Sequence, residues 1–344
     1  MLIIILASAC QPTSEPLPTV LFLPTPTPVL TESPAQNPVS TAALPATVDH
    51  QLPLEISTET PTFTITPTPT ATTAATETPS PTITPTIVVI NLIQPTATAR
   101  FLPENFVFGR SLEGRDLTAR RVGEGSTIIM MVGGIHGGWE SNTVTLVEEM
   151  ITHFQITPGD LLPGVTLLFV PALNPDGVAR GRTLEGRFNS NNVDLNRNWG
   201  CGWQPVAYFR DQEVNPGSQP FSEPETLALA ALINDLRPAA VLFYHSAADG
   251  IFAGDCNNSG TSDAMTSVYG DASGYNYGVD FTEYVVTGTA PSWVDSLGIP
   301  SADVELATAN ATELERNLRG VIAVQCWLLG NPVLPACAGF SASS

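Results

Sequence analysis

Four histidines occur in the chain, and three of them fall after residue 100. His136 follows the apolar run Thr127-Ile-Ile-Met-Met-Val132 and two glycines, Gly133 and Gly134, and Glu140 stands four residues further on. His245 closes a second apolar run, Ala239 to Tyr244. Imidazole and carboxylate are zinc ligands, and a catalytic zinc takes three protein groups and keeps a fourth position for water. His136, Glu140 and His245 meet that count, for one zinc per chain. Asp194-Leu195-Asn196-Arg197-Asn198 lies between the histidines, and Asp303-Val304-Glu305 lies beyond them. Amide hydrolysis needs an activated water, a carboxylate to move its proton and a cation to hold the oxyanion. Groups of all three kinds are present.

The remaining candidates are weaker. His153 sits late on a helical pattern without a partner and reads as structural. No Gly-x-Ser-x-Gly elbow occurs, and the cysteines lack the surroundings of a nucleophile, which argues against serine or cysteine hydrolysis. Trp139 and Trp199 flank the motifs and read equally as cover or as core.

The elements that carry these residues alternate between strand and helix patterns. Thr127 to Val132 and Val165 to Val170 are continuous apolar runs, as buried strands require. Asn142 to His153 places Val144, Leu146, Val147, Met150 and Ile151 on one helical face. Pro224 opens a helix through Asp235, where proline is tolerated in the first turn. Ser301 to Leu306 reads as a last strand, and Leu314, Leu318, Val321, Ile322 and Gln325 have the spacing of a C-terminal helix. The expected fold is α/β, a mostly parallel mixed sheet flanked by helices. Ligands bind such sheets at the carboxyl ends of the strands, and His136, His245 and Glu305 all fall near such ends.

Composition divides the chain. The first 99 residues hold 17 of the 31 prolines and no Arg or Lys. Residues 1–10 form an apolar start followed by Ala7-Ser-Ala-Cys10, similar to a secretory signal with a lipoprotein cleavage box in which Cys10 becomes lipidated. Residues 11–97 are Thr/Pro repeats, expected to form a disordered, extended stalk that cannot build a core. Ile87 to Ile93 reads either as a first strand or as stalk. A catalytic domain is then expected over 98–340. Net charge is −20, every basic residue is an arginine, and no basic patch is present, which excludes a nucleic-acid reader. The four cysteines of the domain allow three pairings, and export favours disulfides. The expected set is Cys201–Cys256 with Cys326–Cys337.

These residues resemble the zinc carboxypeptidase family, the carboxypeptidase A-like metallopeptidases, over roughly Phe108 to Leu328. The most specific stretch is Asn174-Pro-Asp-Gly177 followed by Arg187 and Val193-Asp-Leu-Asn-Arg-Asn198. The resemblance implies zinc ligands at His136, Glu140 and His245, and an aspartate that orients the first histidine at Asp194. It implies an Asn-Arg pair for the substrate carboxylate at Asn196 and Arg197, and an oxyanion arginine at Arg187, with Arg182 as a rival. Glu305 matches the general base, and Tyr284, ahead of Thr287-Gly288, matches a tyrosine that closes over substrate. The family pattern has two residues between His and Glu, whereas Gly137, Gly138 and Trp139 make three here.

The implied protein is a secreted or lipid-anchored metallocarboxypeptidase, monomeric, acting on peptides with a free C-terminal carboxylate. Thr289-Ala-Pro-Ser292, expected to line the specificity pocket, carries no charge, which points to a small or apolar side chain. Two alternatives remain open: a peptidase for D- or γ-linked cell-wall muropeptides, and a non-catalytic binding module on the same fold.

Overall fold

The computed structural model describes residues 102–256, 260–330 and 333–338. The signal-like start, Cys10, the Thr/Pro repeats and Ile87 to Ile93 lie outside the described residues. The chain order is β1 (Asn105–Arg110), β2 (Asp116–Gly123), β3 (Thr127–Val132), α1 (Ser141–Ile156), β4 (Val165–Val170), α2 (Pro175–Ala179), β5 (Ala207–Phe209), β6 (Gln212–Val214), α3 (Pro224–Leu236), β7 (Ala240–Ser246), β8 (Gly250–Ala253), α4 (Thr261–Ser273), α5 (Ala290–Ser296), β9 (Ser301–Leu306) and α6 (Leu314–Leu328).

Seven strands form one sheet in the order β1-β2-β4-β3-β7-β9-β8. The four central strands β4, β3, β7 and β9 are parallel, and antiparallel strands close both edges. This is the mixed, largely parallel sheet expected from the sequence. Successive strand residues point to opposite faces, so each central strand serves two layers. In β3, Ile129 and Met131 pack toward α1, α4 and α6, whereas Ile128, Met130 and Val132 face α3 and α5. A strand buried on both faces must be apolar throughout, which is why its periodicity is lost and its run is continuous.

The connections create the cleft. The β3–α1–β4 crossover leaves to one side of β3, and the chain later returns to place β7 on the other side. Crossovers that diverge from one strand leave a crevice at its carboxyl end. His136 follows β3, and His245 lies in the last turn of β7.

Strands β1, β2 and β8 and helices α4 and α5 have no counterpart in the sequence reading. Strands β1 and β2 expose part of their length and carry charged residues there, so they lack the apolar run that marks the centre, and β8 is only four residues long. Helix α4 is rich in Ser, Thr and Asp and shows little apolar stripe.

Gln325, on the inner face of α6, has a specific function in the packing. Its Oε1 accepts from Leu162 N–H at 2.9 Å and its Nε2 donates to the Asp160 carbonyl at 3.1 Å. The side chain is fully buried. Cys326 beside it pairs with Cys337, and Cys201 pairs with Cys256, as expected. Replacing Gln325 by Leu strands the buried Leu162 N–H and takes a donor from the half-buried Asp160 carbonyl, and unfolding in urea should show a loss of about 1–3 kcal/mol. A loss near zero would mean that water or backbone movement satisfies both groups.

Candidate metal centre and active-site cleft

The turn Gly133-Gly-Ile-His-Gly-Gly-Trp-Glu140 delivers two candidate ligands from one end of β3. Gly137 has φ +47°, and a Cβ there would lie 2.5 Å from the Gly186 carbonyl oxygen. A Cβ on Gly138 would lie 2.2 Å from the Gly181 oxygen. Only glycine permits this approach. Gly138 N–H donates to Gly186 O at 3.1 Å, so the turn rests against the loop that presents Arg187. Thr143 braces it from the helix side, donating to Glu140 O at 2.8 Å and accepting from Gly134 N–H at 3.0 Å. The additional residue before Glu140 is absorbed in this turn, and Glu140 still reaches the histidines.

The three candidate ligands converge. His136 Nδ1 is 2.9 Å from Glu140 Oε1, His245 Nδ1 is 3.2 Å from Glu140 Oε2, and the two Nδ1 atoms are 3.3 Å apart. Tetrahedral zinc with bonds near 2.0–2.1 Å holds neighbouring ligand atoms roughly 3.3 Å apart, close to these spacings. All three side chains are buried, and Glu140 Oε2 has no hydrogen-bond partner among the described residues. Each histidine turns its Nε2 to a carboxylate: His136 to Asp194 Oδ1 at 3.2 Å, and His245 to Asp303 Oδ1 at 3.0 Å. A carboxylate on Nε2 fixes the tautomer that leaves Nδ1 free for a metal. The donor set therefore fits zinc.

Electrostatics points the same way. Burial opposes ionisation of Glu140, but His136 and His245 outweigh it and hold its carboxyl well below the ordinary range. Burial also disfavours the charged form of His245, yet Asp303 and Glu140 raise it well above the usual histidine value. This cluster of carboxylates calls for positive charge at its centre, which is what a divalent cation supplies.

Asp194 joins the remaining parts. It is fully buried, and Arg187 followed by His136 overcomes the penalty of burial to hold its carboxyl well below the usual value. Arg187 donates to Asp194 Oδ2 from Nη2 at 2.8 Å and from Nε at 3.1 Å, while its Nη1 lies 3.5 Å from Glu140 Oε1. The Phe209 ring lies 3.9 Å below its guanidinium. Asp194 Oδ1 also accepts from Asn196 N–H at 3.0 Å. Asn196 Oδ1 accepts from Ala290 N–H at 2.9 Å, and its Nδ2 lies 3.4 Å from Asp303 Oδ2. Arg197 bonds the carbonyls of Asn196 and Tyr208 through three N–H groups, which leaves two of its five donors. Arg182 instead reaches Asn310 and Ala309 on the surface.

His136, Arg187, Asn196, Arg197, His245, Tyr284 and Glu305 all line one cavity of about 250 Å³. The parallel pairing of β7 with β9 sets His245 beside Glu305 and Phe243 beside Asp303. Burial pushes the Glu305 carboxyl up to about 8, against the pull of His245. Tyr284 packs edge-on against Phe209 and Phe281. The Thr287-Gly288 pair behind it has a steric reason, because a Cβ on Gly288 would lie 2.7 Å from Arg197 O. Trp199 is core, stacked among Phe221, Phe243 and Trp293, and Trp139 lies partly buried beside Phe209. His153 pairs with Asp160, a structural contact.

A sequence profile of the zinc carboxypeptidase family matches residues 101–310. The chain belongs to the zinc carboxypeptidase family. Its members are zinc-dependent hydrolases. Murein peptide amidase A of Escherichia coli K12 is 37% identical over 158 residues, 42% of this chain and 60% of the relative. Human carboxypeptidase A6 is 28% identical over 234 residues, 57% of this chain and 53% of the relative. Each match thus spans little more than half of the relative's own length. The solved structure of bovine thrombin-activatable fibrinolysis inhibitor superposes with a TM-score of 0.58 at 20% identity, over 67% of this chain and 91% of the other, and shows the shared fold.

Two features of the site escape the sequence reading. Asp303 orients His245, and its signal was present, since it stands two residues before Glu305 on one strand and must share its face. The second is the character of the cavity wall. Pro291, Ser292 and Thr289 do line it, but so do Asp255, Asp263 and Asp280, from three other segments. The wall is therefore not uncharged, as Thr289 to Ser292 alone suggest, but mixes these aspartates with apolar residues such as Phe252, Val279 and Phe281. Replacing Asp303 with Ala should weaken zinc binding by roughly 10–100-fold in chelator competition. An unchanged affinity would remove Asp303 from the support of His245.

Proposed function

We propose that the chain hydrolyses the amide bond in front of a residue that has a free carboxylate and a cationic side chain, and that cell-wall peptides are its substrates. One observation carries the reading: Asn196, Arg197 and three aspartates line the same cavity as the candidate metal ligands. Among the described residues the cationic side chains of that cavity are Arg187 and Arg197. Guanidinium holds a carboxylate in bidentate fashion, so the two free donors of Arg197 suit the substrate carboxylate. Asp255, Asp263 and Asp280 then suit an ammonium or guanidinium group. Diamino acids in murein peptides combine both charges, and similarity to murein peptide amidase A supports the choice.

Bound zinc supplies a water of lowered pKa and polarises the scissile carbonyl. Glu305 takes the proton from the attacking oxygen as the carbon–oxygen bond forms. It passes that proton to the departing nitrogen as the carbon–nitrogen bond breaks. Its raised basicity suits a group that must both accept and deliver near neutral pH. Arg187 faces the developing oxyanion, held in place by Asp194. Tyr284 covers the substrate from the cavity mouth. Export and attachment through Cys10 complete the proposal, and the two disulfides support an oxidising location. Removal of C-terminal Lys or Arg from ordinary α-linked peptides is the second reading: similarity to carboxypeptidase A6 supports cleavage at a C-terminus, and the same charges support the basic side chain.

Replacing Glu305 with Gln should lower turnover by roughly 10²–10⁴-fold while one zinc per chain remains. Retained turnover would assign the proton transfers to another group. Side-chain selection is measured by comparing N-blocked peptides ending in Lys, Arg, Leu and Phe with isolated murein peptides. Murein peptides should lead, with Lys and Arg ahead of Leu and Phe. The aspartates are exposed, so each Asp→Asn change should cost only about two- to fivefold. Equal rates on Lys and Leu would sink the acidic-wall reading, and cleavage of α-linked peptides alone would favour the second.

A further inference from the structure

We infer that Asn142 is a positioning residue, clamping together the three chain segments that carry Glu140, His245 and Glu305. The inference rests on the proposed role of Glu305. Asn142 is the second residue of α1, two beyond Glu140, and only 6% exposed. Its Nδ2 donates to the Thr308 and Ala311 carbonyls, each at 3.0 Å. Its Oδ1 accepts from the Ser246 hydroxyl at 3.1 Å. Ser246 follows His245 at the end of β7, and Thr308 begins the loop that leaves β9 three residues after Glu305. One amide thus bridges the start of a helix and the ends of two strands.

The residue type follows from this task. The position needs two N–H donors and one acceptor on a short stem. Aspartate has no donor at neutral pH, and serine has one. The loop after β9 is held from its other side by Glu313, whose Oε1 accepts from Ala307 N–H at 2.8 Å. Without Asn142 that loop keeps its outer anchor and loses the tie to the metal-bearing segments. A displacement of about 1 Å between reacting groups can cost roughly 10²-fold in rate. The same tie also bears on Glu140 and His245, so metal affinity reports on it independently of turnover.

The test compares Asn142→Ala, Ser246→Ala and Gln325→Leu in the full chain. Gln325→Leu removes a buried amide with two comparable backbone bonds, far from the cleft, and serves as the measure of general destabilisation. Zinc dissociation constants come from chelator competition on folded protein, and kcat and KM come from the best substrate of the panel. Asn142→Ala should raise the zinc dissociation constant at least tenfold and lower kcat at least tenfold, with KM within about twofold. Ser246→Ala, which removes only the hydroxyl contact, should raise the zinc constant two- to fivefold. Gln325→Leu should change neither constant. Zinc binding by Asn142→Ala equal to that of Gln325→Leu would overturn the clamp. If Asn142→Ala does not fold, an unchanged zinc constant in Ser246→Ala would overturn it as well. Should the unaltered protein hydrolyse nothing in the panel, the proposed function fails while the zinc comparison still decides on Asn142.

Discussion

The site depends on the buried carboxylate of Asp194. It accepts from His136 and from the Asn196 backbone through one oxygen, and from Arg187 through the other. A carboxylate without water around it must be fully bonded to remain charged. Satisfying it draws His136, Arg187 and the turn at Leu195–Arg197 to within one side chain of each other. The short helical turn at Leu195–Arg197 follows from the same group, because Asp194 caps it by accepting from Asn196 N–H. Asp303 does similar work for His245 from the neighbouring strand β9, so each histidine is held by its own carboxylate.

The sheet supplies the rigidity behind these contacts. β3, β7 and β9 lie side by side in parallel register, with both faces covered by helices. Their carboxyl ends therefore cannot shift without disturbing two packed layers. The apolar face toward α1, α4 and α6 is purely structural. On the other face His245, Asp303 and Glu305 gather toward the carboxyl ends of β7 and β9, where the cleft opens. The glycines of the His136 turn belong to the same design, since the loop bearing Arg187 packs directly on their backbone.

Charge in the cleft is organised along its length. Arginines sit at the deep end beside the candidate metal centre, and aspartates line the wall. The overall excess of acid in the chain gives no hint of this arrangement, since composition carries no position. The Cys201–Cys256 disulfide joins the residue next to Asp255 to the loop after Trp199, so the segment carrying this exposed aspartate is anchored covalently.

Much of this was legible in the residues themselves. Continuous apolar runs identified the central strands, because a strand buried on both faces leaves no other choice. Local motifs singled out His136, Glu140 and His245, because metal chemistry restricts residue type and spacing, and the family resemblance added Asp194, Asn196, Arg197 and Glu305. Only the tertiary structure decided which nitrogen of each histidine faces the centre, that Asp303 holds one of them and that Glu140 still reaches it past an additional residue. It alone brought Asp255, Asp263 and Asp280 to one wall, and Asn142 to two strand ends more than a hundred residues away in the chain. The reason is physical. Strand and helix periodicity act over a few neighbours and can be read along the chain, whereas strand order, register and loop closure set distances between residues that share no local pattern.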